Sequence, residues 1–124
     1  MASRAKLLLI GLDPSVVDYS RAPGLTPEKL QKALESDISK LNAEGYEASI
    51  CFIDHGDTAE ATVASALASG GYHCILIGAG VRADPNEFLL FEKLINLIHS
   101  QASSAKICFN TGPSDSADAF KRWV

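Results

Sequence analysis

Four short apolar runs, each followed by a stretch with helical periodicity, constrain this chain more than anything else in it. The runs are KLLLIGL (6–12), EASICFID (47–54), HCILIGAG (73–80) and KICFN (106–110). KLLLIGL is apolar without alternation, as a strand buried on both faces must be. The helical stretches are TPEKLQKALESDISKLNAEG (26–45), DTAEATVASALASGG (57–71), DPNEFLLFEKLINLIHSQ (84–101) and SDSADAFKRWV (114–124). Strands that alternate with helices form a parallel sheet with helices on both faces, joined by right-handed crossovers.

The helix ends carry their own signals. Thr26 suits an N-cap and Pro27 the first helical position, and Gly45 suits the stop. Leu30, Leu34, Ile38 and Leu41 form one apolar stripe between them. Asp57 and Glu60 have capping-box spacing, Asp84 precedes Pro85 with Glu87 two positions on, and Ser114 is expected to cap the closing helix. The expected architecture is a single domain over residues 1–124. It is a three-layer flavodoxin-like (Rossmann-like) sandwich around a four-stranded parallel sheet in the order 2-1-3-4.

Composition narrows the function classes. The 124 residues suffice for one core. The formal charge is -4 at pH 7 with no basic cluster, so duplex nucleic acid is not an expected partner. No apolar run approaches the ~20 residues of a membrane span, and AKLLLIGL is followed at once by Asp13, unlike a secretory signal. A cytoplasmic protein is expected, with Cys51, Cys74 and Cys108 as buried thiols, since they are odd in number and lack metal-site spacing. The Phe88–Ile98 stretch is apolar over a wider arc than a core-facing helix needs. It implies a homodimer through this helix, or cover by the long loop after the first strand.

In such sheets ligands bind beyond the carboxyl ends of the strands, where the strand order reverses. Here the first strand delivers Gly11, Asp13 and a long loop, GLDPSVVDYSRAPG, bearing Asp18, Tyr19 and Arg21. The second delivers Asp54, His55 and Asp57; the third Gly78, Gly80 and Arg82; the fourth Asn110 and Thr111. Strand-to-helix loops usually run about 2–6 residues. This one is far longer and is placed to act as a lid.

The DHGD stretch admits two readings. His55 is a general base oriented by Asp54 or Asp57, or Asp57 merely caps a helix and His55 is a solvated loop residue. Asp13 and Asp54 end adjacent strands and could share Mg²⁺, but two carboxylates are too few to assign a metal. GAGVRA matches G-x-G-x-x-A. Its helix, however, is expected only from DPNE, and Asn110 stands where a ribose-binding acid belongs, so no dinucleotide cofactor is expected. Arg82 is either an anion clamp or a surface charge paired with Asp84. Asn110 and Thr111 contact substrate, or NTGPS is only a turn and cap.

The layout resembles two families. Receiver domains share the fold, but their acidic pair, strand-3 Asp and later Lys have no counterpart here. Type II dehydroquinases are similar in plan over nearly the whole chain. Tyr19 and Arg21 match their loop residues in reversed order, Asp54-His55-Gly56-Asp57 resembles their Asn-His-Glu-Gly, and Gly78-Ala79-Gly80 their Asn-Pro-Gly-Ala. The family's Asn at strand 3 is absent, and FNT replaces its His near strand 4. The resemblance therefore implies a pocket in the same place under a mobile loop, and not dehydroquinase activity.

The expected function is a small enzyme without a cofactor, doing acid–base chemistry on a small anionic metabolite. Its residues would be His55 with Asp54 or Asp57, Asp13, Tyr19, Arg21, Gly78, Gly80, Arg82, Asn110 and Thr111. The alternative is a non-catalytic ligand-binding or receiver-like interaction module.

Overall fold

A computed structural model describes residues 4–124. Strands β1 (Lys6–Leu12), β2 (Glu47–Ile53), β3 (Cys74–Ile77) and β4 (Lys106–Phe109) form one parallel sheet in the order β2-β1-β3-β4. The helices are α1 (Pro27–Ala43), α2 (Ala59–Leu67), α3 (Ala79–Arg82), α4 (Phe88–Gln101) and α5 (Ser116–Lys121). Short 3₁₀ turns cover Tyr19–Arg21 and Pro85–Glu87. The fold is a flavodoxin-like three-layer α/β sandwich.

The two faces of β1 define the two cores, because successive side chains of a strand point to opposite sides. Leu8, Ile10 and Leu12 pack with Val63, Leu94 and Ile98 on the α2–α4 side. Leu7 and Leu9 pack with Leu34, Leu41 and Phe120 on the α1–α5 side. Burying each such side chain contributes about 1.5–3 kcal/mol. This double burial is what the unbroken apolar run of β1 encodes.

The ends of α1 lie where the sequence places them. Thr26 accepts the Lys29 amide at 3.2 Å, with Pro27 in the first turn. At the far end Gly45, at φ +99°, turns the chain so that its own amide meets Asn42 and the Tyr46 amide returns to the Leu41 carbonyl. That is the paired closure of a left-handed helix stop, and a side chain at position 45 would strain it.

Three local expectations need correction. Asp57 does not cap α2. Gly56, at φ +139°, swings the chain so that Asp54 accepts from the Gly56 and Thr58 amides and the Thr58 hydroxyl. Ser114 does not cap α5 either. Asp115 accepts from the Thr111 hydroxyl and amide and the Gly112 amide, while the Ser116 amide is capped from α1 by the buried Asp37, at 2.8 Å. Third, a one-turn helix, α3, opens directly at Gly78 before the DPNE start of the next helical segment.

The wide apolar arc of α4 is largely absorbed within the chain. Leu90, Leu94 and Ile98 are buried, and Phe91, Ile95 and Leu97 pack against the core from its margin. Phe88 and Leu89 remain exposed, at 66% and 58%. At the open edge of β4 the Arg122 guanidinium donates to the Phe109 carbonyl at 2.9 Å. A cation on an edge strand discourages pairing with another strand.

The link from Asp37 to α5 spans 79 residues of chain. Replacing Asp37 with Ala leaves the Ser116 amide without its acceptor and should cost about 1–3 kcal/mol. Urea denaturation checks this: the midpoint should fall for Asp37→Ala and partly recover for Asp37→Asn, which keeps an acceptor oxygen. An unchanged midpoint would mean that water replaces the cap at no cost.

Candidate functional site

All four strands end on one side of the molecule, and the β1–α1 loop crosses that side. Asp13 opens the loop as a turn. Its amide donates to the Ile53 carbonyl at 2.9 Å, and its carboxylate accepts from the Ser15 hydroxyl and amide. Those two bonds hold its pKa below the ordinary carboxylate value, the backbone one foremost. Val16 and Val17 pack against the α2–α4 core, and the Tyr19 hydroxyl donates to the Pro14 carbonyl at 2.6 Å. Arg21 reaches across to Asp84, just ahead of the Pro85–Glu87 turn, at 2.7 Å.

His55 is the joint between this loop and the rest of the edge. Its Nε2 lies 2.6 Å from the Val16 carbonyl, and its Nδ1 lies 2.6 Å from Glu87 Oε1. A carbonyl only accepts, so Nε2 carries a proton. When Nδ1 is protonated as well, toward Glu87 Oε1, the ring is an imidazolium between two acceptors. The Glu87 bond, then the Val16 carbonyl, raise the pKa of His55 above its ordinary value; partial burial opposes them. Glu87 is itself buried, with its side chain 8% exposed against 50% for His55. A carboxylate so placed fixes the ring's orientation.

The orienting acid is therefore Glu87, not Asp54 or Asp57. Asp54 caps α2 and adds only a weaker electrostatic influence on the ring. Its three donors hold its own pKa low, the Thr58 hydroxyl most of all. Among the described residues no group of three or more His, Cys, Asp or Glu side chains is arranged to hold a metal ion.

Arg82 stands on the β3–β4 side of the edge. Its Nη2 donates to the Asn110 carbonyl at 2.9 Å, and its guanidinium lies over the Phe109 ring at 5.7 Å. Its Nε is buried without a hydrogen-bond partner, and no carboxylate pairs with it among the described residues. Asp84, the sequence's candidate partner for Arg82, is paired with Arg21 instead. The charge of Arg82 thus meets only neutral groups.

Asn110 and Thr111 have structural partners. Asn110, buried at 3%, accepts from the Ala79 amide at 2.8 Å and donates to the Ser116 hydroxyl at 3.0 Å. It ties the start of α3 to the start of α5. Thr111 is bound into the Asp115 turn. Because Asn110 takes the first amide of α3, that amide is not turned to a phosphate as in a dinucleotide site.

Gly78 and Gly80 bring α3 back over the end of β1. A β-carbon on Gly80 would stand 3.7 Å from Leu12 Cδ1, and Val81, next in the chain, is fully buried. Leu12, Val81, Val16 and Val17 belong to one apolar cluster beyond the β1–β3 switch. Two depressions, of about 290 and 620 Å³, open at the opposite end of the sheet around Tyr72. Two constellations therefore occupy the carboxyl edge. His55, Glu87 and Val16 form one, and Arg82 with Asn110 the other; no hydrogen bond joins them.

Sequence reasoning missed Glu87 and the Val16 carbonyl. Glu87 lies 32 positions from His55 and reads locally as a first-turn helix residue. A backbone carbonyl has no sequence signature at all. Comparison of the chain with models of known protein families, with curated proteins and with solved structures found no match.

The His55–Glu87 pair makes stability depend on pH with a definite sign. The folded pKa of His55 lies above its unfolded value of about 6.5. The stabilisation is then fully present below about pH 6.5 and is lost as pH rises through the folded value. Melting temperature should fall across that window in the wild type, and Glu87→Gln should flatten the fall. A Glu87→Gln profile parallel to wild type would remove the pair as its source.

Proposed function

We propose that this chain binds a small anionic metabolite at the carboxyl edge of its sheet, beneath the β1–α1 loop, and acts on it by acid–base chemistry through His55. The observation that carries this reading is the Glu87–His55 dyad, with a buried carboxylate at 2.6 Å from Nδ1. A carboxylate on one ring nitrogen sets the tautomer, so the neutral ring presents Nε2 as a base in a fixed direction. In this structure Nε2 faces the Val16 carbonyl, so the loop must move before the base can reach a substrate.

Arg82 supports the anionic character of the ligand. A guanidinium with no carboxylate partner and a buried unpartnered Nε suits a carboxylate or phosphate oxygen. On this reading Tyr19 travels with the loop, Arg21 tethers one end of it to Asp84, and Asp13 anchors the other. Gly78 and Gly80 shape the backbone beside Arg82, and Asn110 and Thr111 hold that side rigid. Asp54 and Asp57 flank His55 without orienting it.

A second reading is a binding module without catalysis. Exposed Phe88 and Leu89 on α4 would then contact a partner, most simply a second copy of the chain.

Thermal-shift measurements with small carboxylates and phosphates test the proposal. A ligand at ~100 times its Kd adds about 2.7 kcal/mol, several degrees in a domain of this size. A stabilising anion should lose its effect in Arg82→Ala. His55→Ala should still bind that anion but lose turnover by at least ~100-fold. Stabilisation undiminished in Arg82→Ala would refute the clamp, and binding without turnover in wild type would leave the module.

A further inference from the structure

We propose that His55 is a proton-controlled latch on the β1–α1 loop: its imidazolium holds the loop shut through the Val16 carbonyl, and loss of one proton releases it. Three groups stand in line: Glu87, the His55 ring and the Val16 carbonyl. The imidazolium has two N–H donors, and both are engaged, by Glu87 at 2.6 Å and by Val16 at 2.6 Å. Neutral imidazole has one. A carboxylate binds an N–H more strongly than a neutral carbonyl does, so the remaining proton stays on Nδ1 with Glu87. Nε2 then turns a lone pair toward the Val16 oxygen, and attraction becomes repulsion at a separation of 2.6 Å.

The loop's own acids, Asp13 and Asp18, are held below ordinary carboxylate values by Ser15 and Ser20, and Tyr19 is displaced upward by burial. Asp54, just past the end of β2, is also held low. The charged groups acting on the ring are Glu87 from the turn before α4 and Asp54 from the end of β2. The loop's second tie, the Arg21–Asp84 ion pair at 2.7 Å, does not pass through His55 and stays closed when the latch opens. It leaves the released loop tethered at one end, so opening is a swing rather than a detachment. The same event frees Nε2 as a base. The latch stands independently of whether any substrate is turned over.

Amide hydrogen exchange at Val16, Ala22 and Leu25, whose amides are bonded within the loop, tests the latch when followed from pH 5 to 9, corrected for intrinsic rate, beside the His55 ring resonances. Loop protection should fall about tenfold, the worth of one charged-donor hydrogen bond, with the midpoint of the ring titration. In Glu87→Gln both midpoints should move down together. In Arg21→Ala protection should drop at every pH while the step stays in place. In His55→Ala the loop should exchange fast throughout, with no step. Protection that is flat across the wild-type His55 midpoint would overturn the proposal. So would a step that survives in His55→Ala, or one that does not follow the ring in Glu87→Gln.

Discussion

A parallel strand cannot return to its neighbour by a tight turn, so every strand here must send its chain around one face of the sheet before the next begins. That constraint collects all the strand-to-helix connections at one end. It brings Asp13, His55, Arg82 and Asn110 to a single edge although they are scattered from position 13 to position 110 of the chain. β1 is the pivot. It pairs with β2 on one side and β3 on the other, and its residues Leu7 to Ile10 are at most 2% exposed. The loop that leaves such a strand starts from a fixed point. Its long excursion must be fastened to something beyond it.

Three fastenings do this, and they differ in kind. Val16 and Val17 are held by apolar contact, Arg21 by an ion pair to Asp84, and Val16 again by a hydrogen bond from His55. Apolar contact is insensitive to pH, whereas an imidazole is a side chain whose charge changes near neutrality. Glu87 supplies that response, because a buried carboxylate that holds one ring nitrogen decides which proton is lost. Arg82 stands apart from this group, with its charge unanswered and Asn110 spanning α3 and α5 beneath it.

The strands, their order and α1 were legible because each rests on local chemistry. β1 reads as doubly buried from its unbroken apolar run, and Thr26, Pro27 and Gly45 occupy the positions their backbone preferences suggest. The capping acids were harder. Asp54 and Asp57 are both acids ahead of α2, and the turn at Gly56 decides between them, which spacing alone does not reveal. The Asp37–Ser116 and Glu87–His55 links lie 79 and 32 positions apart and depend on how helices dock. The edge to which these residues are delivered could therefore be read from the strand order, but their hydrogen-bond partners could not.

The most direct measurement is the ¹⁵N NMR spectrum of the His55 ring near pH 6, with hydrogen-bond couplings to Glu87 and Val16. The account predicts two protonated nitrogens, with a detectable coupling from Nε2–H to the Val16 carbonyl. A ring with one bare nitrogen, or protons on both but no coupling to Val16, would contradict it. The loop would then be held by Val16, Val17 and Arg21 alone.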